Sequence, residues 1–158
     1  MRYRRPWIAT CIVLLGLVAI TGCGSSTTAQ FKSGYSAARI PLNRTFVAIK
    51  LAFTQAQGKT LPEIARSFAA VTDRFGQELP ALEALKPPAG VATAFATLTT
   101  SLDRVEGDLR ATTAAFEHKD VDAAARSLQN LQSDSLAATD AATAVTRKLA
   151  VTQKRKHQ

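Results

Sequence analysis

The chain has 158 residues and a formal net charge of +8, and 46% of its residues are hydrophobic. The charge comes from the two ends, because Lys and Arg balance Asp and Glu at twelve each between residues 24 and 146. A nucleic-acid-binding domain spreads its cations over one face of the fold. This distribution therefore argues against nucleic acid as a partner.

The first 22 residues have the layout of an export signal. Arg2, Arg4 and Arg5 form a basic start, and residues 8–20 supply about thirteen mostly apolar residues, the length of a signal-peptide core. A helix that spans a bilayer needs about 20 apolar residues. We therefore predict a signal peptide over residues 1–22 rather than an uncleaved anchor.

This segment ends in Ile20-Thr21-Gly22-Cys23, which resembles the lipobox of bacterial lipoproteins. That motif has a branched aliphatic residue, a small residue and Gly or Ala before an obligatory Cys. The resemblance implies cleavage before Cys23, a diacylglyceryl thioether on its sulfur and often acylation of the new amino terminus. It implies an extracytoplasmic protein that lipid anchors to the cell membrane. The alternative is an ordinary thiol just beyond a secretory cleavage site.

Loss of the signal would also remove Cys11, so the mature chain could form no internal disulfide. Residues 23–28 are mostly small and hydroxylated and predict a short, flexible, lipidated tether. The remaining chain is long enough to bury a core. We predict a helical domain over residues 29–150 and a basic C-terminal tail over residues 151–158.

The first predicted helix carries apolar residues every three or four positions, which is the period of one helix face. Its stripe is Phe31, Tyr35, Ala38, Leu42, Phe46, Ile49 and Phe53. Pro41 lies inside this stripe, and proline removes a backbone donor and restricts the residue before it. We therefore expect the helix to be kinked, or split in two, at Pro41.

The second predicted helix begins at Thr60-Leu61-Pro62-Glu63, which matches a capping box. Its stripe is Leu61, Ile64, Phe68, Val71, Phe75, Leu79, Leu82 and Leu85. Gly76 and Pro80 lie within this stripe and predict a bend, because the apolar period continues beyond them.

Two further stripes follow the turn at residues 86–90. The third is Val91, Phe95, Leu98, Leu102, Val105, Leu109 and Phe116, and the fourth is Val121, Ala124, Leu128, Leu131, Ala138, Ala142, Val145 and Leu149. Four such stripes with short turns predict an all-α, antiparallel up-and-down bundle; a split at Pro41 would give five helices. Because alanine replaces leucine in the fourth stripe, we expect that helix to pack loosely.

His118 lies near Glu117, Asp120 and Asp122, a combination that can bind a divalent metal. The favoured interpretation is a turn between helices, in which Asp120 caps the helix that follows. We therefore assign no metal site and no cofactor.

Catalytic patterns are also missing from the sequence. It has no nucleophile-elbow motif, and Asp103, Glu106 and Asp108 alternate with Arg104 and Arg110 as on an ordinary solvated helix face. We therefore expect a protein that is not an enzyme.

Eight aromatic residues fall on the predicted core faces. They are Phe31, Tyr35, Phe46, Phe53, Phe68, Phe75, Phe95 and Phe116. They could fill the core or line a pocket for an apolar ligand, and core filling is the favoured interpretation. An enclosed cavity among them would favour ligand binding, whereas a filled core with an exposed apolar strip would favour a partner.

The basic tail has a position that follows from topology. In a four-helix bundle the chain returns to the end where it began, which would place Lys154, Arg155 and Lys156 beside Cys23 at an anionic membrane surface. A disordered, solubilising tail is an equal alternative. Five helices would instead send the tail to the far end.

The alanine-rich body with its Leu-Lys-Pro-Pro turn resembles small helical lipoproteins of Gram-positive, including actinobacterial, envelopes, and this resemblance transfers no functional residue. The first hypothesis is a lipid-anchored interaction or structural module at the cell envelope, which presents helix faces to a protein or a wall polymer. The alternative is an envelope binding protein that holds a small apolar or lipid ligand within the bundle.

Overall fold

The computed structural model describes residues 24–154. These form four helices joined by short turns: α1 (Gly24–Thr54), α2 (Leu61–Glu83), α3 (Ala89–Glu117) and α4 (Val121–Lys154). Helices that follow one another in the chain pack side by side, α3 and α4 most closely and α1 and α4 least. The predicted all-α up-and-down bundle of four helices is confirmed.

The first helix differs from the sequence-based expectation in two ways. It begins at Gly24, so Gly24 to Thr28 are helical rather than a flexible tether, and Thr28 is buried. It also runs unbroken through Pro41, which excludes a split into two helices. Pro41 removes the donor for the carbonyl of Ala37, but Ala37 is exposed, so water can satisfy this oxygen.

The turns contain the local signals that the sequence predicts. The Glu63 carboxylate accepts hydrogen bonds from the Thr60 backbone N–H at 2.8 Å and the Thr60 hydroxyl at 2.7 Å, as part of the predicted capping box. The backbone hydrogen bond is the largest of the effects that lower the pKa of Glu63, and the bond from the Thr60 hydroxyl comes next. Asp120 caps α4 by accepting a 2.8 Å hydrogen bond from the Ala123 N–H on Oδ1.

The predicted stripes form the core with one exception. Val121, the first residue of α4, is 62% exposed. The alanine-rich α4 packs closely against α3, since small side chains let helix backbones approach. It is loosely packed only on the side that faces α1, where a groove forms.

Candidate binding groove between α1 and α4

Three connected depressions follow the seam between α1 and α4. The central depression has a volume of about 540 Å³ and opens onto Leu82, Leu98 and Leu102 of the core. It shares Phe46 and Thr139 with a second depression of about 400 Å³. A third depression, also of about 400 Å³, adjoins it toward the start of α1. Together they form one groove along the bundle.

Small side chains on α4 keep this seam open. Ala138, Ala142 and Thr146 line the central depression opposite Tyr35 and Phe46 of α1. Alanine and threonine are too short to reach α1 and fill the space between the two helices. The groove is therefore a consequence of the small residues on this face of α4.

Two polar side chains of α1 cross the groove near the end of the bundle where α1 begins. The Tyr35 hydroxyl donates to the backbone carbonyl of Ala142 at 3.3 Å. Arg39 Nη1 donates to the Thr146 hydroxyl at 3.2 Å. Burial raises the pKa of Tyr35, although the positive charge of Arg39 opposes that shift.

The charges of the fold are segregated between helices. Helix α1 carries Lys32, Arg39, Arg44 and Lys50 and contains no Asp or Glu, whereas α2 and α3 each carry four acidic and two basic residues. The neutrality of residues 24–146 therefore conceals one cationic helix and two acidic helices.

This segregation gives the groove a cationic rim. Lys32, Arg39, Lys50 and Arg147 line its three depressions, and no carboxylate lines them in the described part of the chain. Within residues 27–152, Arg39, Lys50 and Arg147 have no carboxylate at ion-pair distance. The site is rich in cations and hydrogen-bond donors and poor in acidic acceptors.

Exposed aliphatic side chains border the groove. Ile40, Val47 and Leu51 on α1 are 54%, 59% and 48% exposed, and Leu136 on α4 is 63% exposed. Ile40 and Leu136 line the end depressions. An apolar strip thus runs beside the groove on α1, with Arg44 between its members.

The aromatic residues pack against one another in the core. Phe31 and Phe95 meet edge to face with centroids 5.2 Å apart, Phe46 and Phe75 do so at 5.9 Å, and Phe53 and Phe68 do so at 5.6 Å. Such pairs favour this edge-to-face arrangement. The open volume lies at the surface seam rather than inside an aromatic cage.

The acidic residues of α3 lie away from the groove and face α2 and α4. Glu106 forms an ion pair with Arg110, four residues later in α3, at 2.6 Å. Asp108 instead lies beside Asp134 of α4, where burial first and this neighbouring carboxylate second raise its pKa. Its Oδ2 atom is buried without a hydrogen-bond partner among the described residues. Burial and Asp103 raise the pKa of Glu83 in a similar way.

The remaining predicted site residues lie at the ends of helices. Glu117 ends α3, His118 follows as its C-terminal cap, and Asp122 lies in the first turn of α4. In the described residues no three His, Cys, Asp or Glu side chains are grouped to hold a metal ion.

The two ends of the described chain lie at the same end of the bundle. Leu149 and Ala150 line the same depression as Lys32, so the tail leaves α4 near the start of α1. Lys154 is the last residue of α4. Cys23, Arg155 and Lys156 lie outside the described residues, and contact of the tail with a membrane stays a prediction.

Sequence reasoning identified Tyr35 and Phe46 as core residues and did not single out Arg39, Asn43 or the threonines of α4 that line the groove. Two signals could have found them. Residues 24–54 contain no acidic residue, and threonines recur at positions 139, 143 and 146 on one helix face.

None of the four described helices is both long enough and apolar enough to cross a membrane. Comparisons with models of known protein families, with curated proteins and with solved structures give no match.

Proposed function

We propose that this chain is a lipid-anchored binding module of the bacterial cell envelope, which holds a partner on the face formed by α1 and α4. The observation that carries the proposal is the open seam between these helices, with its cationic rim and exposed aliphatic border. Most other members of the apolar stripes are buried in the core, with the exception of Val121 at the start of α4. Exposed apolar surface of this kind usually marks an interaction site.

The lipobox resemblance supports an anchor at Cys23, and the position of α1 relates that anchor to the groove. Because α1 begins at Gly24, the proposed lipid and the groove-lining Lys32 belong to one helix and its immediate flank. Anchoring would therefore hold the groove close to the outer surface of the membrane.

Anchoring is tested by replacing Cys23 with Ser and fractionating cells that make each form. We expect the parent chain in the membrane fraction and the Cys23→Ser variant in the soluble extracytoplasmic fraction. Retention of the variant in the membrane would defeat the lipoprotein assignment.

The binding face is tested with a photo-crosslinking amino acid placed at Val47 or Leu136 in the anchored protein. Gln77, which is exposed on α2, is the matched control position. We expect specific adducts from the α1 and α4 positions only. Equal labelling from Gln77 would contradict the assignment of this face, and identification of the adducts would name the partner.

A further inference from the structure

We infer that the groove between α1 and α4 binds a single-chain amphiphile with an anionic headgroup, such as a fatty acid or an anionic lysophospholipid. This inference rests on the proposed function, because it names the ligand class for the same face. It follows from the size of the groove, the distribution of its charges and the difference between its two ends.

The dimensions suit one acyl chain. Along α1 the groove-lining residues Arg39 and Phe53 are 14 positions apart, or about 21 Å at the rise of an α-helix. A bilayer core of about 30 Å contains two chains end to end, so one chain occupies about 15 Å. The central volume of about 540 Å³ also lies within the range of small-molecule sites.

The two ends of the groove differ in chemistry. Near the start of α1, Lys32, Arg39 and Arg147 gather beside Asn43 and Thr146. This end offers charged and neutral donors, and a carboxylate or phosphate accepts charge-assisted hydrogen bonds from such groups. The anionic headgroup therefore belongs here.

The other end is suited to the acyl chain. Phe46, Ile49 and Phe53 of α1 face Leu131 and Leu136 of α4 across the second depression. Lys50 also lines it, but its side chain is exposed, so its methylene groups can cover the chain while its ammonium group stays in water. An amphiphile would thus lie along the groove with its head near the end of the bundle where α1 begins.

Charge disfavours two other occupants. A second copy of the chain docked through this face would bring its own Lys32, Arg39 and Lys50 against those of the first copy. The basic C-terminal tail would meet the same repulsion. The rim carries no carboxylate among the described residues, which favours an anionic occupant.

The bundle can be assayed without its lipid, because every residue of the described core lies between Phe31 and Leu149. The test uses residues 23–158 with Cys23→Ser, and circular dichroism verifies that each variant is helical. Palmitate and lysophosphatidylglycerol are titrated as monomers, below their aggregation concentrations, by calorimetry. Lysophosphatidylcholine, which has the same chain without net charge, is the control ligand.

We expect saturable binding of at least one anionic amphiphile, with at least tenfold weaker binding of lysophosphatidylcholine. A preference between palmitate and lysophosphatidylglycerol would identify a carboxylate or a phosphate headgroup. Arg39→Gln should weaken binding roughly tenfold, as expected for loss of a charge-assisted contact. Arg44→Gln is the matched control: it removes a cation from the same helix but not from the lining of the groove.

A second variant tests the volume of the groove independently of its charge. Ala142→Leu places a larger side chain where the central depression lies and should abolish binding while the bundle stays folded. Equal binding of charged and uncharged amphiphiles, equal effects of Arg39→Gln and Arg44→Gln, or unchanged binding to Ala142→Leu would each overturn the inference.

The inference and the proposed function fail in different experiments. If monomeric amphiphiles do not bind but the protein binds intact anionic vesicles, the face contacts a membrane and the ligand assignment is wrong. If Val47 and Leu136 still crosslink to a protein in that case, the binding-module proposal survives. If Cys23→Ser stays in the membrane while palmitate binds, the anchor fails and the ligand site stands.

Discussion

Thr45 of α1 donates a 2.7 Å hydrogen bond from its hydroxyl to the carboxylate Oε2 of Glu78 on α2, and its side chain is fully buried. This contact lies on the side of α1 that faces away from the groove. It links the cationic helix to an acidic neighbour through a neutral donor.

We expect Thr45→Val to lower the free energy of unfolding by about 1 kcal/mol. Valine has nearly the shape of threonine but leaves the half-buried carboxylate without this donor, and hydrogen bonds to charged groups contribute about 1.5–3 kcal/mol when water cannot replace them. Urea denaturation followed by circular dichroism measures the change. Thr45→Ser keeps the hydroxyl and should retain more of the stability, so a larger loss with Ser would contradict this role for the bond.

Asp108→Asn should stabilise the bundle by about 0.5 kcal/mol at pH 7, a small effect because the carboxyl group is partly solvated. The raised pKa of Asp108 means that the folded state holds this proton more tightly than the unfolded state. This residue therefore destabilises the fold increasingly as pH rises from the ordinary carboxyl range through the raised value.

The difference in the free energy of unfolding between Asp108→Asn and the parent chain should accordingly shrink as the pH falls toward about 4, the ordinary pKa of an aspartate. Denaturation curves between pH 4 and pH 7 test this trend. Asp140→Asn, at an exposed position on α4, is the control. A pH-independent advantage for Asp108→Asn would rule out a cost of ionising Asp108 through burial and through repulsion from Asp134.

Lys119→Gly should raise the free energy of unfolding by about 0.5–1 kcal/mol. Lys119 has a positive φ of 58° in the turn between α3 and α4, a conformation that glycine adopts without the steric cost of a Cβ atom. The reverse change is Gly58→Ala, where φ is 78°, and it should destabilise by about 1 kcal/mol. Thermal denaturation should therefore show a higher Tm for Lys119→Gly and a lower Tm for Gly58→Ala than for the parent chain.

Leucines of the core and of the groove rim should respond differently to truncation. Leu109 is fully buried, so Leu109→Ala should cost about 2–5 kcal/mol through lost burial and the cavity that remains. Leu136 is mostly exposed, and Leu136→Ala should change stability by less than about 0.5 kcal/mol. A large loss with Leu136→Ala would mean that this rim serves folding rather than binding.

The sequence could predict the four helices and nearly all of the core, because both follow from apolar periodicity. It overestimated the effect of local signals at two places. Pro41 lies where the carbonyl that loses its donor is exposed, so the continuous stripe from Phe31 to Phe53 outweighed the helix breaker. Gly24 to Thr28 are polar and small, but packing of α1 reaches Thr28 and extends the helix toward Cys23.

The groove was harder to predict, because it depends on which neighbouring helix each face of α4 packs against. The alanines and threonines of α4 allow close approach to α3 and also leave space toward α1, and periodicity alone does not distinguish these outcomes. The net charge of residues 24–146 is zero, because the acidic residues of α2 and α3 cancel the positive charge of α1. The sum therefore does not reveal the cationic helix. The lipid anchor and the basic tail stay predictions, since Cys23, Arg155 and Lys156 lie outside the described residues.

The loose seam also has a consequence for how the bundle opens. Helix α1 is held mainly by α2, whereas α3 and α4 form the most closely packed pair. Regions with fewer packed neighbours open at lower free energy, so amide hydrogens of α1 should exchange with solvent sooner than those of α3. An occupant that bridges both sides of the seam would stabilise the closed state. Slower amide exchange along α1 would then detect binding even when the ligand has not been identified.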